Sequence, residues 1–348
     1  MRVLAILTVK NEGAFLLEWL AHHRAAGFTD VLVFSNDCTD GTDAMLDRLQ
    51  AMGWLTHVRN PGPHPEGPQW AALKAADRHP LKAAADWVLV CDIDEFVAVK
   101  IGDHSVSALL AALPEATAIT LTWRLFGNAG VVTFEDRPIT ETFRRAAPAV
   151  FAWPWRAAMF KTLFRNDNSF RKLGVHRPRS PDPTRTAAQA WFDGAGRRLP
   201  ESYLGARVFS DPRQDNFQLA QLNHYPLGAM ESYIVKCDRG RANREASTFD
   251  MSYWVERNFA SVADDSGLAL QAPRAALLAE LHADSDLYRL HQAAVAWRRS
   301  RFVELMAEEP WRALFGRLLM TPPSRTLTAA EAAPLLGHAL RANLGTKG

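Results

Sequence analysis

The chain has 348 residues, of which 48% are hydrophobic and 22% are charged, proportions typical of a globular protein with a large core. With 40 basic and 38 acidic residues, its formal net charge of +2 argues against a general nucleic-acid-binding protein. The three cysteines lack zinc or redox spacing, and we find neither a signal-peptide cleavage pattern nor an apolar run long enough to span a membrane. We therefore expect a cytoplasmic protein with reduced cysteines.

Strand-like and helix-like segments alternate along the first third of the chain. Apolar runs rich in β-branched residues predict strands, and apolar residues at helical spacing predict the helices between them. The predicted strands are 3–9, 30–36, 54–58, 86–94 and 117–126, and the predicted helices are 14–27, 40–53, 69–80 and 105–114. This order favours an α/β fold whose mostly parallel sheet is covered by helices.

An acidic cluster follows the fourth predicted strand, in "WVLVCDIDEFVAVK" (87–100). Ligands of parallel sheets gather beyond the carboxyl ends of the strands, and residues two apart on a strand point to the same side. We therefore expect Asp92 and Asp94 to share a side and to suit Mg²⁺ or Mn²⁺, which could clamp a diphosphate. The alternative is that the two carboxylates simply cap a strand end at the surface.

Polar residues also follow the first two predicted strands, in "TVKNEG" (8–13) and "SNDCTDGT" (35–42). No glycine-rich phosphate loop is present, so a metal and basic side chains are the remaining way to hold a phosphate. In a parallel sheet these strand ends lie at the same edge as Asp92, where they could contact a nucleoside, although Asn and Asp also form turns. The candidates are Lys10, Asn11, Glu12, Asn36 and Asp37.

Several motifs occur together, in order, across residues 3–240: K-N-E at 10–12, E-W-L-x-H-H at 18–23, D-I-D-E-F at 92–96, and N-H-Y with a later K and R-G at 223–240. In this combination the chain resembles the glycosyltransferase family 2-like group with the GT-A fold, in the branch related to family 92. The resemblance implies a Rossmann-like GT-A domain at 1–245, with a nucleotide-sugar half at about 1–100 and an acceptor half at about 101–245. Residues 246–348 read as a helical extension whose role is open.

The activity implied by this resemblance is transfer of a sugar, with inversion, from a nucleotide-diphosphate sugar to the hydroxyl of a glycan or other acceptor. A divalent cation, Mn²⁺ or Mg²⁺, would assist it, and bacterial glycan or polysaccharide synthesis is the expected setting. Asp94 would bind the metal, Asp92 would bind metal or ribose, and His224 would be a third metal ligand, with His176 as the alternative. The basic residues Lys236, Arg239 and Arg241 would neutralise the departing diphosphate.

An inverting transfer also needs a carboxylate base near the acceptor hydroxyl. Glu135, Asp136 and Glu141 follow the fifth predicted strand, and of these we favour Asp136. Aromatic residues that could stack on sugars are Trp123, Phe126, Trp153 and Trp155.

Two functions of other classes stay open at this point. A metal-dependent phosphohydrolase usually carries an Asp after its first strand, where this chain has Thr8-Val9-Lys10. A non-catalytic carbohydrate-binding protein would explain the tryptophans, but it would not explain acids at the strand ends.

Overall fold

The computed structural model describes residues 1–240 and 250–345, without the side chains of Trp155 and of residues 339–345. Its first part alternates strands and helices, as the sequence predicts. The elements are β1 (Val3–Val9), α1 (Gly13–Ala25), β2 (Asp30–Ser35), α2 (Thr42–Ala51), β3 (Thr56–Arg59), α3 (Pro68–Ala76), α4 (Pro80–Ala84) and β4 (Trp87–Cys91). The strands pair in parallel in the order β3-β2-β1-β4, so their carboxyl ends meet at one edge of the sheet.

Two elements differ from the sequence prediction, in both cases for a local reason. The helix expected at 69–80 divides into α3 and α4, because His79 is extended ahead of Pro80, as a residue before proline prefers to be. The strand expected at 86–94 ends at Cys91. A turn over residues 92–94 then leads into the next strand.

The middle of the chain extends the same sheet in mixed orientation. Its elements are β5 (Glu95–Val99), α5 (Val106–Ala112), β6 (Ala118–Leu125), α6 (Ile139–Thr142), β7 (Arg145–Ala146), β8 (Phe160–Arg165), β9 (Phe170–Lys172), β10 (Arg179–Pro181), β11 (Trp191–Asp193), β12 (Ala220–His224) and α7 (Met230–Arg239). Beyond β4 the order is β8-β6-β12-β5. Strand β8 is antiparallel to both of its neighbours, and β12 runs parallel to β6 and antiparallel to β5.

Helices dominate the last part of the chain. The elements are α8 (Met251–Val255), β13 (Val262–Ala263), α9 (Gln271–Ala283), α10 (Ser285–Leu305), α11 (Glu309–Met320) and α12 (Ala329–Gly345). Helices α9 and α10 pack on α1, and α10 also contacts α2 and α7. Among the described residues, no helix is both long and apolar enough to cross a bilayer.

Apolar side chains from this helical region join the main core of the sheet. Leu281, Leu287 and Ala294 are buried in the same cluster as β1 and α1, and Arg48 Nε donates to Asp284 Oδ1 at 3.0 Å. The expected α/β fold with a C-terminal helical region is thus confirmed. The domain boundary near residue 245, and the division of 1–245 into two halves, stay predictions.

Burial on both faces of the sheet explains the apolar sequence of β4. Leu89 and Cys91 face one core layer, while Val88 and Val90 face the other, and all four are buried. A strand covered on both faces has few polar side chains along its length, so its first polar groups come where it ends. In this chain those groups are the acidic residues of the turn at 92–94.

Candidate active site

The turn between β4 and β5 is held in place by α1. Trp19 Nε1 donates to the carbonyl oxygens of Asp92 (3.0 Å) and Glu95 (3.1 Å). The backbone N–H of Glu95 also donates to the Asp92 carbonyl, at 3.1 Å, which closes the turn. Trp19 of the E-W-L-x-H-H motif therefore fixes the acidic turn to α1. Because Asp92 and Asp94 lie on a turn, the expectation that they share one side of a strand is wrong.

Both carboxylates nevertheless line one cavity of about 610 Å³ at the carboxyl edge of the parallel strands. The cavity brings together many of the residues that the sequence analysis singles out. They are Lys10, Asp92, Asp94, Trp123, His176, His224, Lys236 and Arg239.

Asp94 carries two close partners on its side chain. Lys236 Nζ donates to Oδ2 at 2.7 Å, and His224 Nε2 lies 3.7 Å from Oδ1. Burial would raise the pKa of Asp94, but Lys236 and His224 hold it well below its ordinary value. Burial in turn lowers the pKa of His224, against the pull of Asp94, which favours a neutral imidazole with a lone pair.

The sheet register brings His224 to Asp94. His224 ends β12 and lies opposite Glu95, the first residue of β5, in the antiparallel β12–β5 pair. The next residue, Tyr225, donates its backbone N–H to the Asp94 carbonyl at 2.8 Å. His176, the alternative metal ligand, instead donates from Nδ1 to the Phe160 carbonyl at 3.0 Å, and burial lowers its pKa to about 4.

Asp92 is held by a lysine that the sequence analysis did not identify. Lys161 Nζ lies 2.8 Å from Asp92 Oδ2 and 3.5 Å from Glu95 Oε2, while Gln69 Nε2 donates to Asp92 Oδ1 at 3.1 Å. The Lys161 side chain is 0% exposed. Burial acts to lower its pKa, but Asp92 and Glu95 outweigh burial and raise it, so Lys161 stays charged. A lone lysine in the apolar β8 run "FKTLF" was the available signal.

The donor set around Asp94 suits a hard divalent cation. A carboxylate and a neutral imidazole 3.7 Å apart could bind one ion together, leaving its other positions to water or phosphate oxygens. Asp92 is turned toward Lys161 instead. Within the described residues, no group of three His, Cys, Asp or Glu side chains forms a metal-binding cluster.

Most residues predicted at the ends of β1 and β2 bind the protein itself. Asn11 Oδ1 accepts from the Thr39 N–H at 2.7 Å, and Asn36 Nδ2 donates to the Val9 carbonyl at 2.8 Å. Asp37 is exposed and accepts from the Gly62 N–H at 3.1 Å. These contacts tie the strand ends together, and none of Asn11, Asn36 and Asp37 lines the cavity.

Glu12 and Arg239 form a pair at the cavity edge. Arg239 binds the Glu12 carboxylate and also donates to the Lys10 carbonyl at 3.0 Å. Arg298 of α10 lies 3.6 Å from the same carboxylate. Lys10 and Arg239 line the cavity, but Glu12 does not. Arg241 lies outside the described residues.

The three carboxylates predicted as the base lie away from the cavity lining. Asp136 accepts from His291 Nε2 at 3.0 Å, and Glu141 accepts from Arg274 at 2.7 Å. Glu135 is exposed and pairs with its neighbour Arg137. A catalytic role for these residues therefore stays a prediction, which their contacts in the structure do not support.

Two other carboxylates do line the cavity, Asp250 and Glu256. They lie next to α8, in the segment whose role the sequence analysis left open. Glu256 pairs with Arg257 at 3.4 Å, and both border a narrow pocket with Trp123 and Arg156. Each acid occurs singly, without a recognisable motif, so only the fold shows their place.

Trp123 connects these acids to the metal-binding candidates. Its ring centroid is 4.4 Å from that of His224 and 5.6 Å from that of His176, and its Nε1 donates to Glu95 Oε1 at 2.6 Å. Of the other predicted aromatics, Phe126 is buried against Tyr225, and Trp153 is partly buried and not in the cavity lining. The side chain of Trp155 lies outside the described residues.

Comparison with solved structures gives remote similarities. S. aureus TarS 1–349 is 13% identical, with a TM-score of 0.35 and coverage of 86% of this chain and 92% of that one. The Mycobacterium tuberculosis glucosyl-3-phosphoglycerate synthase, in complex with Mn²⁺, UDP and glucosyl-3-phosphoglycerate, is 19% identical, with a TM-score of 0.24 and coverage of 35% and 44%. A longer TarS chain is 15% identical, with a TM-score of 0.31 and coverage of 48% and only 28%.

No curated protein matches the chain. Residues 8–190 match the sequence model of glycosyltransferase family 92. This match includes the acidic turn, its lysine Lys161 and the strands that carry them. Because it spans more than half of the chain, the protein belongs to glycosyltransferase family 92.

Proposed function

We propose that the protein transfers a sugar, with inversion, from a nucleoside-diphosphate donor to an acceptor hydroxyl, using Mn²⁺ or Mg²⁺ in a GT-A-type site. The observation that carries the proposal is the meeting of Asp94, His224 and Lys236 at the cavity end of β4. One carboxylate oxygen and one imidazole nitrogen beside an ammonium group suit a metal-bound diphosphate. When bound, the ion would neutralise charge on the departing diphosphate.

The donor nucleoside is assigned to the side of the cavity formed by the ends of β1 and β4. Lys10, Gln69 and Asp92 line that side, and Asp92, which is held by Lys161, would contact the ribose rather than the ion. Asn11, Asn36 and Glu12 hold the strand ends that shape it. Asp37 is the exposed candidate for contact with the base, and Arg239 would join Lys236 on the diphosphate.

The acceptor is assigned to the side formed by Trp123 and the segment around α8. Tyr253 and Arg257 stack there, with the guanidinium carbon 3.7 Å from the ring centroid, and Asp250 and Glu256 supply carboxylates. In a single displacement, the acceptor oxygen bonds to the anomeric carbon as the bond to the diphosphate breaks. Glu256 or Asp250 would take the hydroxyl proton.

A nucleotide-sugar screen tests this function directly. Purified protein is incubated with Mn²⁺, a panel of UDP-, GDP- and dTDP-sugars and a pool of bacterial glycan acceptors, and nucleoside diphosphate release is measured. We expect nucleoside diphosphate release that depends on the acceptor and that EDTA abolishes. The glycosidic product should have the anomeric configuration opposite to that of the donor. Equal release with water alone would favour the phosphohydrolase, and binding of glycans without release would favour the non-catalytic protein.

The base is tested with neutral amide variants at each candidate. Glu256→Gln or Asp250→Asn should lower transfer by about 10²–10⁴-fold while leaving donor binding intact. Asp136→Asn is the matched comparison for the sequence-based assignment, and Asp286→Asn, exposed on α10, is the control. If transfer activity were lost in Asp136→Asn alone, Asp136 would be the base, as the sequence analysis predicts.

A further inference from the structure

Two lysines neutralise the acidic turn, but they sit in different surroundings. Lys161 lies on β8 in the middle of the sheet and lines neither of the two larger cavities. Lys236 lies in the last turn of α7 and borders the cavity of about 610 Å³ directly. It therefore faces the space in which the donor diphosphate is proposed to bind, whereas Lys161 does not.

A second, smaller cavity of about 40 Å³ lies next to Lys236 and Asp94. Ser232, Pro226 and Arg298 also line it. It is large enough for a water molecule, and the polar groups around it suit one. Lys236 and Asp94 are thus bordered by open space on two sides. This space lies next to the ammonium group, which Asp94 and the Pro226 carbonyl hold in the empty site.

Lys236 occupies the carboxylate that a divalent ion would need. Lys236 Nζ occupies Oδ2 at 2.7 Å and also donates to the Pro226 carbonyl at 2.7 Å. A divalent ion bound between Asp94 and His224 would lie close to this ammonium and repel it. A donor diphosphate offers the ammonium several anionic oxygens in return. Arg239, three residues later on the same helix, faces the same cavity.

We propose that Lys236 is an exchangeable counter-ion, which pairs with Asp94 in the empty site and moves to the donor diphosphate when metal and donor bind. The proposal rests on the donor and metal sites of the proposed function. Its consequence is that the empty protein opposes metal binding at Asp94, and that diphosphate binding relieves this opposition. Metal and donor would then bind cooperatively through one side chain of the protein.

The proposal predicts opposite effects of one substitution on two ligands. Lys236→Met removes the ammonium and keeps most of the unbranched side chain. It should bind Mn²⁺ alone at least about fivefold more tightly than the wild type, and UDP alone at least about fivefold more weakly, the low end of typical coupling between sites. A lysine that only supports the fold would not shift the two affinities in opposite directions.

The experiment measures free Mn²⁺ by electron paramagnetic resonance and UDP binding by calorimetry in EDTA, without any turnover. Lys236→Gln is the second variant in case Lys236→Met folds poorly, and Lys172→Met, exposed on β9, is the matched control. Thermal melts establish that each variant is folded.

Tighter Mn²⁺ and weaker UDP binding in a folded Lys236 variant supports the proposal. Unchanged affinities, or weakening of both, overturns it while leaving the proposed function in place. If the wild type binds neither Mn²⁺ nor UDP, separately or together, the proposed donor site fails along with the inference.

Discussion

The two lysine–carboxylate pairs at the β4–β5 turn are nearly identical in distance. They differ in the burial of the lysine, in its further partners and in its access to the cavity. Lys161–Asp92 measures 2.8 Å and Lys236–Asp94 measures 2.7 Å. Lys161 is fully buried and also faces Glu95, whereas Lys236 is 10% exposed and borders the cavity. The length of an ion pair therefore does not reveal its role. The surroundings decide whether the cation is fixed or exchangeable.

The free energy of unfolding should show the largest difference between the Lys161–Asp92 and Lys236–Asp94 pairs. Lys161→Met leaves the buried Glu95 and the partly exposed Asp92 without their cation. Removing one partner of a buried pair costs about 3–5 kcal/mol, and the exposure of Asp92 brings the loss toward the lower end. Lys236→Met should cost less, because Lys236 borders the cavity, where water can take the place of its ammonium group, whereas Lys161 does not. Urea unfolding of both variants measures the difference in the free energy of unfolding. Equal losses would mean that Lys236 is as fixed as Lys161.

The two carboxylates should separate next, through metal and donor binding. Asp94→Asn should lower Mn²⁺-dependent transfer by about 100-fold or more, since it removes a charge that would hold the ion. Asp92→Asn should raise the KM for the donor but leave Mn²⁺ affinity within about twofold, because Lys161 and Gln69 already bind the two Asp92 oxygens. Metal titration and donor kinetics are measured on both variants. Loss of Mn²⁺ affinity in Asp92→Asn would make both carboxylates metal ligands.

The sequence predicts the parallel half of the sheet well and the site only in part. Strands β1, β2 and β4 are local patterns of apolar residues, so the chain itself reveals them. The Asp94–His224 contact was predicted through a family resemblance, because 130 positions separate the two residues and only the β12–β5 register joins them. Lys161 was missed for the same physical reason, since it lies 69 residues from Asp92 and only the pairing of β8 with β4 brings the two together.

The acceptor side was missed because its residues carry no motif. Asp250 and Glu256 lie beyond the segment that matches the family, at the two ends of the short helix α8. The predicted base Asp136 instead pairs with His291 of α10, a contact that no local pattern indicates. Long-range packing decides which of several acids lines a cavity, and a single sequence does not contain that information.

The two histidines of the cavity should differ in metal affinity. His224→Ala should weaken Mn²⁺ binding by about 10–100-fold, because the loss of a direct ligand at least matches the loss of a supporting contact. His176→Ala should leave Mn²⁺ affinity unchanged, because His224 makes the contact to Asp94, whereas the His176 ring packs against Trp123. Titration by electron paramagnetic resonance compares the two variants. Weaker Mn²⁺ binding in His176→Ala, with unchanged binding in His224→Ala, would make His176 the metal ligand instead.

His176 and His224 should also differ in how they make the free energy of unfolding depend on pH. This is the smallest of the expected effects. Burial, helped by the nearby charge of Lys161, lowers the pKa of His176 from 6.5 to about 4, whereas the charge of Asp94 opposes burial at His224. A folded-state pKa below the unfolded value means stability that is complete above pH 6.5 and declines as pH falls toward about 4. One such histidine contributes at most about 1.4 kcal/mol per pH unit, and partial exposure at the cavity reduces this. We therefore expect His176→Gln to flatten the fall in unfolding free energy between pH 7 and pH 5 more than His224→Gln does, as measured by urea unfolding. Equal flattening in the two variants would show that the charges of Lys161 and Asp94 do not distinguish the two sides of the cavity.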